Sequence, residues 1–343
     1  MGFDADCTKS PEKLQVLRDT KFPWRDKKSK TFRLARLYDL AGYPRYGDRV
    51  AACASLLEYA VTENPDDIAG EPLRTLHKAQ FCDLRLCPMC NARKAKRASI
   101  LLNRVLEAAL KLWHGSQYIF LTLTARNVSG PELGDAISDL CAAWARLMDN
   151  RPVKAAFIGW FRAVEVTRNP EDGTYHPHVH AILMTRFGYF TYKNGLYVTH
   201  DDWVARWRQA LRVDYDPSVD VRATRAKEAK RKSRAQAAAE EAAKYATKDA
   251  EYIGRKVSDA DAAGIVRDYT QGLRRKRLTA YGGVLKDVAK AMDAENLEEG
   301  DLVHLPDDDA AEDATAYEWY RWHLGVHDYV LDRVIAGDSG NQS

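Results

Sequence analysis

Two β-rich runs separated by a short reversal constrain this chain more than any other feature. FIGWFRAVEVTR (157–168) and HVHAILM (178–184) are both rich in β-branched and aromatic residues. Between them NPEDGTY supplies the Asn, Pro, Asp and Gly of a turn, so the pair reads as an antiparallel hairpin. QYIFLTLTA (117–125) and VDVRAT (219–224) add two further strands. Helical periodicity surrounds them. Residues 91–113 place Ile100, Leu101, Val105, Leu106 and Leu112 near helical spacing behind the basic start ARKAKR. Gly130-Pro131-Glu132 opens a helix to about residue 149, with Pro131 suited to the first turn. Thr199 and Asp202 have the spacing of a capping box ahead of a helix carrying Trp203, Trp207 and Leu211 on one face. Further helices are expected at 233–252, 282–292 and 319–335. Strands interrupted by helices, without a regular βαβ period, predict an α+β fold with a central antiparallel sheet.

The hairpin also carries the densest chemistry, His176-Pro177-His178-Val179-His180. Alternate side chains of a strand share a face, so His178 and His180 point the same way and form half of a divalent metal site. Glu165, on the preceding strand, joins that face if it lies opposite His178 or His180. Histidine and carboxylate ligation with open positions suits Mg²⁺ or Mn²⁺ acting on phosphate oxygens. A structural zinc site is the blander alternative.

The net charge of +3 conceals an asymmetry. Residues 293–318 hold eleven Asp/Glu and no Lys or Arg, and setting them aside raises the net charge of the rest to +14. A body this basic favours a polyanionic partner. The side chains expected to meet such a polyanion are Arg93, Lys94, Lys96 and Arg97 in one cluster and Arg231, Lys232 and Arg234 in another. The second cluster sits in residues 222–234, with seven Lys/Arg and one Glu, which read equally well as a solvated linker. No apolar run approaches membrane-spanning length and no secretory signal is readable at the N-terminus, so a cytoplasmic location is expected.

Three of the six cysteines crowd together as Cys82, Cys87 and Cys90, in the pattern C-x₄-C-x₂-C. This suits structural Zn²⁺ in a reducing compartment, with Cys53 as the best fourth ligand and His77 as the alternative. Cys141 reads as core, and Cys7 has no evident role. Four regions follow: a basic N-terminal segment (1–50), a cysteine-rich zinc-binding region (51–98), an α+β body (99–292), and an acidic linker with a C-terminal helix (293–343).

The segment EEAAKYATKD (240–249) is strongly helical in composition. At about 100° per residue, Glu241, Tyr245, Lys248 and Tyr252 fall on one stripe. A tyrosine oxygen can attack a phosphodiester, a neighbouring lysine can lower the phenol pKa or neutralise charge, and a glutamate can activate a water.

Three blocks, FLTLT (120–124), HPHVHAILM (176–184) preceded by EVT (165–167), and EAAKYATKD (241–249), occur in an order that resembles the rolling-circle plasmid replication initiators of the HUH endonuclease superfamily, in the single-tyrosine group. FCDLRLCPMCNARKAKR (81–97) is similar to that group's cysteine block, and RLTAYGGVLKDV (277–288) to its C-terminal block. The resemblance covers roughly residues 45–290. It implies an antiparallel sheet with the histidine strand in the middle, helices on one face and the tyrosine helix across the metal. It implies His178 and His180 as metal ligands with Glu165 as the third, Tyr245 as nucleophile, Glu241 promoting hydrolysis at termination, Lys248 beside the tyrosine, and Cys53 as the fourth zinc ligand. The function implied is origin-specific nicking of one DNA strand through a 5′-phosphotyrosine, leaving a 3′-hydroxyl primer. The chain contains no G-x₄-GK[ST] phosphate loop, so a host helicase and a host DNA polymerase are expected partners, and a homodimer is allowed. The rival readings are an HUH relaxase or single-tyrosine transposase, and a non-catalytic zinc-stabilised DNA-binding regulator.

Overall fold

The computed structural model describes residues 14–18, 22–64, 70, 72–191, 194–223, 253, 257–308 and 314–337. The chain divides into two compact units, one formed by residues 1–90 with 301–343 and the other by residues 91–300.

In the first unit, helices α1 (Trp24–Leu40) and α2 (Pro44–Ala52) precede strands β1 (Leu56–Thr62) and β2 (Leu73–Ala79). The unit is completed from the far end of the chain by β8 (Ala316–His323) and β9 (Asp328–Ala336). The four strands form one antiparallel sheet in the order β2-β1-β8-β9. Its core is aromatic. Tyr329 is buried, packs edge-on against Trp24 and Trp322, and donates its hydroxyl hydrogen to the Ala54 carbonyl at 2.6 Å.

This part of the structure corrects two expectations. Residues 319–335 are a β-hairpin rather than a helix. The period is two: Glu318, Tyr320 and Trp322 are buried while Arg321 and His323 face solvent, a strand pattern that the aromatic content obscures. The acidic stretch is also no simple linker. Ala294, Leu297, Leu302 and Leu305 are buried, and Glu298 Oε1 accepts the backbone N–H of Leu278 at 2.7 Å and of Thr279 at 2.8 Å. Apolar residues spaced among the acids tie it down.

The second unit is built on a five-stranded antiparallel sheet in the order β6-β3-β5-β4-β7. Its strands are β3 (Tyr118–Thr124), β4 (Phe157–Arg168), β5 (Tyr175–Thr185), β6 (Val219–Ala223) and β7 (Thr279–Gly283). β4 and β5 are the expected hairpin, and β5 lies in the middle. Helix α3 (Pro88–Leu112) begins in the first unit and runs on in the second. It is followed by α4 (Leu133–Asp149), the short α5 (Arg151–Ala156), α6 (His200–Leu211), α7 (Asp259–Gly272) and α8 (Val284–Ala291).

Helices cover both faces of this sheet, which corrects the expectation of one. On the face shared by Phe161, Ala163, Ile182 and Met184, α3 contributes Leu101, Leu102, Val105 and Leu106, and α8 contributes Leu285 and Val288. On the opposite face Trp144 of α4 packs edge-on against Trp160 at 5.3 Å, and Tyr269 of α7 hydrogen-bonds the Val166 carbonyl. The expected helix over 233–252 lies outside the described residues. Among the described residues no helix is long and apolar enough to cross a membrane.

Candidate functional site

Register puts the hairpin's polar side chains together. Glu165 of β4 pairs with His178 of β5, and Ala163 with His180. On the other flank Thr124 of β3 pairs with His178, and Thr122 with His180. Directly paired residues share a face, so Thr122, Thr124, Glu165, His178 and His180 form one polar patch on the central strands. Along the same face Ile182 and Met184 are covered by α3 and α8. The patch therefore continues a packed surface along the same strands.

His178 Nε2 lies 3.2 Å from Glu165 Oε2, and His180 Nε2 lies 3.1 Å from the same oxygen. Glu165 is 6% exposed and His178 8%. The ring nitrogens on the far side define what this arrangement wants. His178 Nδ1 sits 3.1 Å from the His176 carbonyl, which can only accept, so that nitrogen carries the proton. Neutral His178 then turns the lone pair of Nε2 toward a carboxylate oxygen. Two acceptors facing each other in a buried site are stabilised by a cation between them. His180 Nδ1 contacts Thr122 Oγ1 at 3.1 Å, a second outer contact that fixes its ring. The three side chains fit a divalent metal, and their ligand atoms lie within 4.8 Å of one another.

The rim of the patch adds Asn127 and Thr174, and gives His176 and Trp207 a place beside it. His176 Nδ1 contacts Asn127 Oδ1 at 2.8 Å, and Asn127 Nδ2 donates to Thr174 Oγ1 at 2.8 Å. Burial lowers the His176 pKa below the usual imidazole value. Trp207 Nε1 of α6 donates to the Thr124 carbonyl at 2.8 Å, bracing the end of β3 beside His178. The alternating threonines of FLTLT were the signal for this flank.

A second cluster lies in the first unit. Cys53 follows α2, Cys82 and Cys87 lie between β2 and α3, and Cys90 is in the first turn of α3. Three sulfur pairs, Cys53–Cys90, Cys82–Cys90 and Cys53–Cys87, are each 3.6 Å apart. A disulfide needs about 2.05 Å, whereas a zinc tetrahedron with ~2.3 Å bonds has edges of about 3.8 Å. All four cysteines are buried and able to hold a metal together. Hydrogen bonds from Cys53, Cys87 and Cys90 push the Cys82 thiol far down. Those shared with Cys53 and Cys82 push Cys87 and Cys90 far up. One negative charge is welcome among these sulfurs and further ones need a cation. Ala54 and Asp83, each directly after a ligand cysteine, take left-handed backbone angles of φ +48° and +57°. His77 is not part of the cluster; its Nε2 lies 3.8 Å from Glu58 Oε1.

Beside the cluster is a fully buried lysine. Lys28 Nζ donates to the Ala51 and Cys53 carbonyls at 2.7 Å each and to Ser55 Oγ at 2.9 Å. Burial lowers its pKa to about 8, against an upward pull from the cysteines.

The basic cluster at the start of α3 divides. Lys96 is exposed and Lys94 half-buried. Arg93 is corrected as a surface contact: it is 4% exposed, because its helical position turns inward. Arg97 Nη1 donates to the carbonyls of Asn296, at 3.3 Å, and Glu299, at 2.8 Å, and so serves the loop after α8. Glu241, Tyr245, Lys248, Tyr252, Arg231, Lys232 and Arg234 lie outside the described residues.

The family model described as "Replication protein" matches residues 73–330, which hold both strands of the histidine hairpin and three of the four cysteines. The chain belongs to the replication protein family. It is 37% identical to a "Protein rep" of Streptococcus pneumoniae over 83% of this chain and 84% of that protein. It is 34% identical to a "Protein rep" of Bacillus amyloliquefaciens over 90% and 93%. A "Replication protein" of Staphylococcus aureus shares 38% identity over 57% of this chain and 83% of its own length. No solved structure matches the chain.

Proposed function

We propose that this family member starts rolling-circle replication of a plasmid by nicking one strand of its double-strand origin. The observation that carries the reading is the convergence of His178, His180 and Glu165 at one point on the central strands. When bound there, Mg²⁺ or Mn²⁺ supplies charge neutralisation at the scissile phosphate. His178 and Glu165, held by paired strands, fix where that phosphate sits. Tyr245 attacks phosphorus, a phosphotyrosine bond forms, and the bond to the 3′ oxygen breaks. That oxygen takes up a proton and leaves as the 3′-hydroxyl primer. Lys248 favours the phenolate. Glu241 activates the water that ends the round. A host polymerase extends the primer and a host helicase opens the duplex.

Incubation of the protein with a single-stranded nick-site oligonucleotide and Mn²⁺ tests this. A covalent adduct is expected from the parent chain and from Tyr252→Phe, and none from Tyr245→Phe. An adduct that survives Tyr245→Phe overturns the choice of nucleophile. No adduct from the parent chain overturns the nuclease reading.

A further inference from the structure

The first unit carries a feature that nicking chemistry does not use. Helices α1 and α2 are joined by the three-residue turn Ala41-Gly42-Tyr43, in which Gly42 takes φ +88°. The two helices meet closely at Gly47: a Cβ there would stand 2.9 Å from the Ala35 carbonyl and nearer still to Asp39. This is a tightly packed pair of helices joined by a short turn.

Helix α2 buries only Gly47 and Val50. Its other side shows Arg45, Asp48 and Arg49 to solvent. A nine-residue helix that buries so little contributes little to a core, yet this one is anchored firmly. Lys28 of α1 binds the Ala51 carbonyl near its C-terminal end and the Cys53 carbonyl just beyond. Arg49 Nη2 donates to the Cys82 carbonyl at 2.6 Å. At the turn, Tyr43 and Tyr46 stack at 5.8 Å, and both meet Tyr38 edge-on. The outer face of α2 is thus presented rigidly from the thiolate cluster.

The charge of the pair selects the occupant. Residues 22–52 hold eight Lys/Arg against three Asp and no Glu. Of the eight, only Lys28 is fully buried, and Arg25, Arg36, Arg45 and Arg49 are exposed. We propose that α1 and α2 form a docking element for duplex DNA, with α2 presented to the major groove and Arg45 beside the bases and phosphates, while Arg49 holds the helix in place. A B-form major groove about 12 Å wide admits a helix, and exposed guanidiniums match its phosphate walls and guanine edges. Single-stranded DNA fits less well, because the tyrosines that would stack on bases are occupied with one another. The proposal rests on the reading that this chain acts at a replication origin, and adds the duplex arm beside the nick as the ligand.

Fluorescence anisotropy with a labelled origin duplex tests it, on the full chain with its zinc content and thermal unfolding checked. Arg45→Glu is expected to weaken duplex binding at least tenfold, and Arg45→Ala to lower the salt slope by about one. Asp48→Asn is expected to tighten binding by removing a like charge from the phosphate-facing side. Duplex affinity within twofold of the parent for Arg45→Glu, in protein with full zinc content, overturns the proposal, and so does selective loss of a protein partner without loss of DNA binding. Adduct formation by the parent chain on the single-stranded oligonucleotide is scored separately. Its failure strikes the nuclease reading and leaves an Arg45-dependent duplex affinity standing.

Discussion

At Glu165 two imidazole nitrogens approach one carboxylate oxygen, and the atoms behind the rings decide what that means. The His176 carbonyl fixes the proton of His178 on Nδ1, and Thr122 Oγ1 holds Nδ1 of His180. Both Nε2 atoms are thereby aimed at the same Glu165 oxygen, a geometry able to hold a metal. Thr122→Val keeps the shape of the β3 side chain and removes the contact to His180. It is expected to weaken divalent metal binding 10–100-fold, read as the Mn²⁺ concentration for half-maximal adduct formation, with thermal stability little changed. An unchanged metal requirement would make Thr122 a bystander. The convergence of Glu165, His178 and His180 was legible because strand alternation and a short turn leave few registers. Lys28 was not, since a lysine within KKSK looks the same whether it faces water or, as here, three oxygen acceptors. Arg93 was misread for the mirror reason: a basic run on a helix places some members inward.

Elements carry the site through longer chains of contact. The capping box of α6 is complete, with Thr199 Oγ1 accepting the Asp202 N–H and the Asp202 carboxylate accepting the Thr199 N–H. The helix it starts buries Trp203 and Trp207, and Trp207 braces Thr124 of β3. Thr199→Ala is expected to cost about 1 kcal/mol in global stability, measured by denaturant unfolding, with nicking retained under stabilising conditions. A change of several kcal/mol would mean that the cap holds more than its helix. This box was readable from four residues because its chemistry is local. The β8–β9 hairpin was not, because a strand shows itself only through the sheet it joins, and β8 pairs with β1 from more than 250 residues away. The aromatic residues of that segment suit a helix face and a strand face equally.

At the scale of the whole molecule, two sheets with separate cores hold two sites with different demands for metal. The thiolate cluster belongs to the unit containing β1, β2, β8 and β9, and the histidine site to the unit containing β3 to β7. Zinc held by four thiolates contributes on the order of 10–16 kcal/mol of apparent binding energy. A folded domain is stable by only about 5–15 kcal/mol in total, so this term outweighs the margin of the unit that contains it. A site of two imidazoles and one carboxylate with open positions holds Mg²⁺ far more loosely and exchanges it with solvent. The two metals are therefore expected to leave in sequence. Mild chelation should stop adduct formation while hydrogen exchange stays slow throughout, and added Mn²⁺ should restore the adduct. Removal of zinc by a strong chelator or a thiol-modifying reagent should then release the amides of β1, β2, β8 and β9, while those of β3, β4 and β5 remain protected. Hydrogen exchange read by mass spectrometry separates these stages. Loss of protection in β3 to β5 on zinc removal would show that the thiolates support both sheets. Retention of protection in β1 and β8 would show that Lys28 and the aromatic core suffice without the metal.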